Sequence, residues 1–447
     1  MSRTDGSKPV PERRQFLAYC GGAIATGMAG SLQAIVPGAN ESGNGYAGMD
    51  DSASWRRDAL QRIDDLRQGD FSLRLQDAAG APVESASVEI ELHRHEFGFG
   101  AGVRLSRFFG SEYPAELRER YLQICSDQFH KLVTLNAFKW KHIDRNEQYI
   151  EPFLEWSEAE NLPVRGHTLV WPDFKRAPAS VTQFAKDPHG LRDAIRAHLK
   201  RVAGKYAGRI AEWDVLNEPF SQHTYMDILG KEVAAEWFRQ VEVLDPGAKR
   251  YINDYGVLTR PNGEHQDFYF KYIGWLLEQG APVQGIGFQS HNPAAFALTP
   301  PEELLATLER FSVHGLEQQV TEFDVETTDQ DLQARYTMDF MIAVFSHASV
   351  TGLMTWTPFE YARNVVSKPD AAFFDRQLRT KPNAIVWDDL VNNRWSTQVR
   401  VGTDHKGQAR FRGFAGTYNV RTKAGSSTQE HKVTLGRANT SASISLI

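Results

Sequence analysis

"WDVLNEPF" occupies Trp213–Phe220. It starts like a buried strand, with Val215 and Leu216 at its centre, and ends in Asn217, Glu218 and a proline. Proline cannot donate to a strand ladder, so the strand stops there and its polar end faces whatever lies beyond. The stretch belongs to a recurring pattern. Short apolar runs lie at Phe97–Val103, Lys131–Ala137, Pro163–Trp171, Ile210–Glu218, Lys249–Gly256, Val283–His291, Glu317–Val325 and Val350–Pro358, with helix-period segments such as "LRDAIRAHLKRVAGKY" and "PEELLATLERFSVHG" between them. Strands joined by helical crossovers pair in parallel. Eight such units predict an α/β fold, a (β/α)8 TIM barrel, over 97–390. A doubly wound sheet would also alternate, but its glycine-rich phosphate loop is missing.

The flanks read differently. "RRQFLAYCGGAIATGMAGSLQAIV" resembles a twin-arginine export signal within residues 1–40, which predicts a periplasmic or extracellular protein. Glycine dilutes the apolar stretch, so stable membrane insertion is not expected. Residues 41–54 read as a linker, and 55–96 as a helix followed by a β-hairpin, Phe71–Asp77 with Ser87–His95. Residues 397–447 carry short strands that cannot bury a core alone. They are expected to pack with the hairpin as a small accessory β module.

The 447 residues carry a net charge of −6 and no basic stripe, which argues against a nucleic-acid partner. The two cysteines, Cys20 and Cys125, have no metal or redox spacing. His93 and His95 lie two apart but lack a third ligand, so no metal or other cofactor is expected.

In a barrel of this kind the active site lies at the C-terminal strand ends. Those ends are chemically rich: Asn136 and Lys139, His167 and Trp171, Asn217 and Glu218, Asn253 to Tyr255, Gln289 and His291, Glu322 and Asp324, and Trp356. Taken singly, a Glu before Pro is a common helix start and "TEFDVE" could be an edge strand. Jointly they converge on one rim. Glu218 and Glu322 suit glycoside hydrolysis, in which one carboxylic acid protonates the leaving oxygen and one carboxylate attacks carbon or activates water. His291, oriented by Asp324, could keep Glu322 ionised.

The barrel resembles glycoside hydrolase family 10, the retaining endo-β-1,4-xylanases, through "WDVLNEP", "TEFD", "GIGFQSH", "RGHTLVW", "NAFKW" and "TWTP". The resemblance implies Glu218 as acid/base, Glu322 as nucleophile, and a xylan-like polysaccharide as substrate. Sugar contacts would fall to Asn136, Lys139, His167, Trp171, Asn217, Tyr255, Gln289, His291 and Trp356, with Asp324 in support. Three departures from the family pattern stand out. Leu135 and Lys141 replace glutamates, and the eighth-strand loop lacks a second tryptophan, though Tyr361 is nearby. Leu in place of a hydrogen-bonding Glu forgoes about 1 kcal/mol of sugar contact. Another β-linked polysaccharide is the alternative substrate, and a glycan-binding barrel without turnover is the alternative class.

Overall fold

The computed structural model describes residues 45–111, 113–259, 263–360 and 369–446. The expected export signal, the first residues of the expected linker and Tyr361 lie outside them. In chain order the first strands are β1 (Gln68–Gln76) and β2 (Ser87–His95). Then follow β3 (Gly98–Val103), β4 (Lys131–Thr134), β5 (Val164–Gly166), β6 (Glu212–Asn217), β7 (Lys249–Asp254) and β8 (Gly285–Phe288). The two-residue β9 (His291–Asn292) precedes β10 (Glu317–Val325) and β11 (Val350–Thr355). Last come β12 (Gln398–Gly402), β13 (Gln408–Phe414), β14 (Gly416–Ala424), β15 (Ser427–Leu435) and β16 (Ser441–Ser445).

Strands β3 to β8, β10 and β11 pair in parallel in that order, and β11 returns to β3, closing the barrel. Every residue of β3 and of β6 is buried, because crossover helices cover the outer face and packed side chains fill the inner one. Two glycines mark where the filling is tightest. A Cβ on Gly166 would sit 2.0 Å from the Trp213 ring, and one on Gly285 would sit 2.1 Å from the Tyr251 ring. No helix among the described residues is long and apolar enough to cross a membrane.

Strand β6, which ends just before Glu218, and strand β10, which carries Glu322, are both bulged. On β6, Asp214 pairs with Tyr251 and Asn217 with Asn253, so three steps on β6 match two on β7. On β10, Val320 pairs with Leu353 and Phe323 with Thr355. An extra residue reverses which side chains face inward. Asp214 and Asn217, of opposite parity, therefore both point into the barrel, as do Gln319 and Glu322.

The expected hairpin between 71–77 and 87–95 does not form. The two strands exist and alternate as read, but they belong to different sheets. β1 pairs with β13 and β16, while β2 pairs with β12 and β14, and β15 extends that second sheet. Phe71, Leu73 and Leu75 on β1 and Val88, Ile90 and Leu92 on β2 are all buried. Had the strands paired edge to edge, each apolar face would have needed a separate cover. Placed in two sheets, they share one core with Phe411 and Tyr418, whose rings pack on Phe71.

This sandwich meets the barrel at the N-terminal strand ends, away from the rim that carries Glu218 and Glu322. Arg94 donates to the Ser126 and Phe129 carbonyls at 2.8 and 2.7 Å. Arg67 donates to the carbonyls of Phe345, His347 and Val350. The His95 ring packs among Phe99, Phe345 and Phe414, where burial holds its pKa down at about 4. The helix Ser54–Arg67 lies along helix Gln330–Phe345, and the buried Arg56–Asp339 pair at 2.6 Å joins them. That cover explains why Tyr336–Phe345 is buried on all sides.

Candidate active site

Glu218 follows β6 directly. Its backbone N–H donates to the Asn253 carbonyl at 2.8 Å, which ties it to the end of β7. Its φ of 54° lies in the left-handed region, uncommon for a residue with a side chain and found where a surrounding structure enforces it. The carboxylate accepts from the Trp171 indole N–H at 3.1 Å and from the Gln289 amide at 3.1 Å. Burial is the main influence raising its pKa above the ordinary value. The Gln289 hydrogen bond opposes this, and the negative charges of Glu322 and Asp254 reinforce it.

Glu322 lies within β10 and is 4% exposed. It accepts from the Asn253 amide at 3.1 Å and from His291 Nε2 at 3.2 Å. Burial alone would raise its pKa. The His291 hydrogen bond, with the charges of His167, His291 and Lys139, outweighs that and holds it below the ordinary value. His291 Nδ1 donates to Asp324 at 2.7 Å. Both ring nitrogens thus face carboxylates, and a neutral imidazole has only one N–H to donate. Burial disfavours the imidazolium, but Asp324 and Glu322 more than compensate and raise its pKa to about 9.

The neighbouring amides form one network. Asn253 bridges Glu322 and the Asn217 side-chain oxygen, the latter at 3.0 Å. The Gln289 amide also reaches that oxygen at 3.4 Å. Asn217 therefore has its oxygen occupied and its amide nitrogen aimed elsewhere. That nitrogen is buried without a hydrogen-bond partner. A fully buried donor without an acceptor is uncommon and calls for one supplied from outside the chain.

His167 is held by Asp214 at 2.9 Å, lies 4.0 Å from Glu322, and meets the Trp356 ring edge-on. Lys139 places its ammonium 5.2 Å from the Trp171 ring centre and 5.4 Å from that of Trp356. Of the residues singled out from sequence, Lys139, His167, Trp171, Asn217, Glu218, Gln289, His291, Glu322, Asp324 and Trp356 are thus linked by contacts. Asn136 and Tyr255 sit at the same rim but hydrogen-bond neither glutamate. Tyr255 instead rests edge-on against His265.

Two participants were not chosen from sequence. Asn253 stood out only as a polar strand end, although it holds both Asn217 and Glu322. Arg176 carried no signal at all. Its guanidinium lies 3.7 Å from the centre of the Trp171 ring, on a turn that periodicity does not mark. Leu135 is buried, and Lys141 is exposed and donates to the Lys175 carbonyl at 3.0 Å.

The arrangement sets two carboxyl groups on one rim, joined by amides, with the pKa of Glu218 raised and that of Glu322 lowered. Residues 93–387 match the sequence profile of glycosyl hydrolase family 10. The chain is 28% identical over 392 residues to anti-sigma-I factor RsgI6 of Acetivibrio thermocellus, covering 86% of this chain and 49% of that protein. It is 25% identical over 377 residues to endo-1,4-beta-xylanase 1 of Arabidopsis thaliana, covering 83% of this chain and 38% of that protein. It thus spans about half or less of the length of these two relatives. Among solved structures, xylanase 10B from Thermotoga petrophila in complex with xylobiose superposes with a TM-score of 0.59 at 25% identity, covering 67% of this chain and 95% of that one.

Proposed function

The chain belongs to glycosyl hydrolase family 10, and from that premise we propose that it is a retaining endo-β-1,4-xylanase. The observation that carries this reading is two glutamates on one rim, joined through Gln289, Asn217 and Asn253, with opposed pKa shifts: the half-buried Glu218 pushed up and the buried Glu322 held down. Glu322, ionised, attacks the anomeric carbon while Glu218 passes its proton to the departing glycosidic oxygen. The bond from anomeric carbon to oxygen breaks as the bond to Glu322 forms, leaving a glycosyl ester. The ester carries no charge, so one influence raising the Glu218 pKa disappears. Glu218, now a carboxylate, takes a proton from water, which attacks the same carbon and regenerates Glu322.

The surrounding residues have roles that fit. The unpartnered Asn217 amide is placed to donate to the sugar 2-hydroxyl, a contact that strengthens as the oxocarbenium-like transition state forms. His291 and Asp324 keep Glu322 ionised, Gln289 and Trp171 orient Glu218, and Trp356 offers an apolar face to the sugar. Lys139 and His167 line the donor side, and Asn136 and Tyr255 complete the rim. No metal or other cofactor has a part in these steps. The Arg13-Arg14 signal supports action outside the cytoplasm, where the polymer is met.

The test is hydrolysis of a panel of purified β-glycans, with the anomeric configuration of the first product read by NMR. Xylan cleavage giving the β-anomer first is expected. Release of sugars from another glycan with none from xylan refutes the substrate, and the α-anomer first refutes the mechanism.

A further inference from the structure

A neutral xylose backbone gives an enclosed cation nothing to pair with, yet the wall beside Glu218 carries a half-buried one. Arg176 is half-buried, and its Nε is enclosed without a hydrogen-bond partner. Among the described residues no carboxylate lies within ion-pair distance of it. Glu218 feels its charge, but the Glu218 carboxyl group is taken up by Trp171 and Gln289 instead. The guanidinium is held in place by stacking at 3.7 Å from the centre of the Trp171 ring. The Trp171 N–H meanwhile donates to Glu218. Arg176 is therefore fixed beside the group that meets the leaving oxygen, while its planar fork remains unused.

The neighbourhood strengthens the bias. Lys139 places its side-chain nitrogen 5.2 Å from the same ring, where burial is the main influence lowering its pKa and Arg176 adds to it. Lys141 reaches the Lys175 carbonyl, in the turn that carries Arg176. Asp173, the acid of that turn, is occupied by Thr224 at 3.0 Å and by the backbone of Lys175 at 2.9 Å. Partial enclosure of an unpaired guanidinium is unfavourable unless an anion arrives from outside. The fork geometry suits a carboxylate or a sulfate in bidentate contact.

We propose that Arg176 is a specificity-determining residue that binds an anionic substituent, a carboxylate or sulfate, on a sugar next to the cleaved linkage. This rests on the reading of the chain as a xylan hydrolase and names the form of the polymer it prefers: an acidic, side-chain-bearing one.

The experiment compares glucuronoxylan, the same polymer with its carboxyl groups reduced to alcohols, and neutral xylan bearing sulfate esters. The quantity read is the ratio of kcat/KM for the acidic polymer to that for its reduced form. Taking such a ratio cancels any general loss passed through Trp171 or Glu218. For the wild type it is expected to be about tenfold, the low end for a charge-assisted hydrogen bond. Arg176→Gln should bring it near one, and Arg176→Lys should retain part of it. A preference for the sulfated polymer alone keeps the anion site and assigns it to a sulfate. A wild-type ratio near one for both anionic polymers, or one that Arg176→Gln leaves intact, overturns the proposal. Affinity electrophoresis of the Glu322→Ala protein repeats the comparison without turnover. Retardation by the acidic but not the reduced polymer, abolished when Arg176→Gln is added, supports the subsite even if no xylan is cut. In that outcome only the assigned activity falls.

Discussion

Asp324→Asn removes one negative charge two residues from the proposed nucleophile and leaves the shape of the site nearly unchanged. Asp324 accepts from His291 at 2.7 Å, and His291 reaches Glu322 at 3.2 Å, so the effect has to pass through the imidazole. The gap between the ordinary histidine value of 6.5 and about 9 corresponds to roughly 3 kcal/mol in favour of the imidazolium. Asparagine gives up most of it, and His291 becomes neutral near pH 7. Glu322 then trades a charge-assisted hydrogen bond for a neutral one, a loss of about 1–1.5 kcal/mol. That equals about one pH unit on Glu322 and about tenfold in kcat/KM. The assay is the pH profile of kcat/KM on an aryl β-xylobioside with a good leaving group, where protonation by Glu218 matters little. The acidic limb should move up by about one unit. Stability offers a second readout with a definite sign. A raised histidine pKa contributes stability that is fully present below pH 6.5 and is lost as pH rises through about 9. The wild type should lose Tm across that window, and the variant should lose the pH dependence. An acidic limb that stays in place refutes the argument that His291 is held protonated for the sake of Glu322.

Four further outcomes are expected. Gln289→Leu removes a hydrogen bond that favours the ionised form of Glu218, so its pKa should rise further and the alkaline limb of kcat/KM on xylan should move up. Glu218→Ala should cripple xylan hydrolysis but spare the first step on aryl glycosides with good leaving groups, as stopped-flow release of the phenol will show. Asp339→Ala strands the buried Arg56 and takes an acceptor from Tyr46; urea denaturation should register a loss of about 3 kcal/mol with an unchanged pH profile of activity. Gly166→Ala drives a methyl into the Trp213 ring and should cost about 1–3 kcal/mol, visible as a lower Tm.

The barrel was legible because its strands are short apolar runs separated by helical periodicity, and because polar residues collect at one end of each run. Glu218 and Glu322 were legible for the same reason. Pairing partners were not. Alternation in 71–77 and 87–95 tells which side chains are buried, but the same pattern serves a hairpin or two facing sheets, and the choice depends on strands more than three hundred residues later. The bulges on β6 and β10 carry no glycine or proline marker. Reading by strict alternation would therefore have put Leu216 and Asn217 on the wrong faces. Asn253 escaped because its importance lies in two contacts across strands, to Asn217 and to Glu322, and neither is local in sequence. Arg176 escaped because a cation in a turn looks solvated until a ring is found beneath it.

The two-step chemistry on Glu322 can be examined directly. Incubation with a 2-deoxy-2-fluoro β-xylobioside bearing a good leaving group slows both steps and the second more, so an ester accumulates. Peptide mapping by mass spectrometry should then find the fluorosugar on the peptide containing Glu322, with the label absent from the Glu322→Ala protein. A label on another residue, or no covalent adduct while the leaving group is released in steady turnover, contradicts double displacement through Glu322.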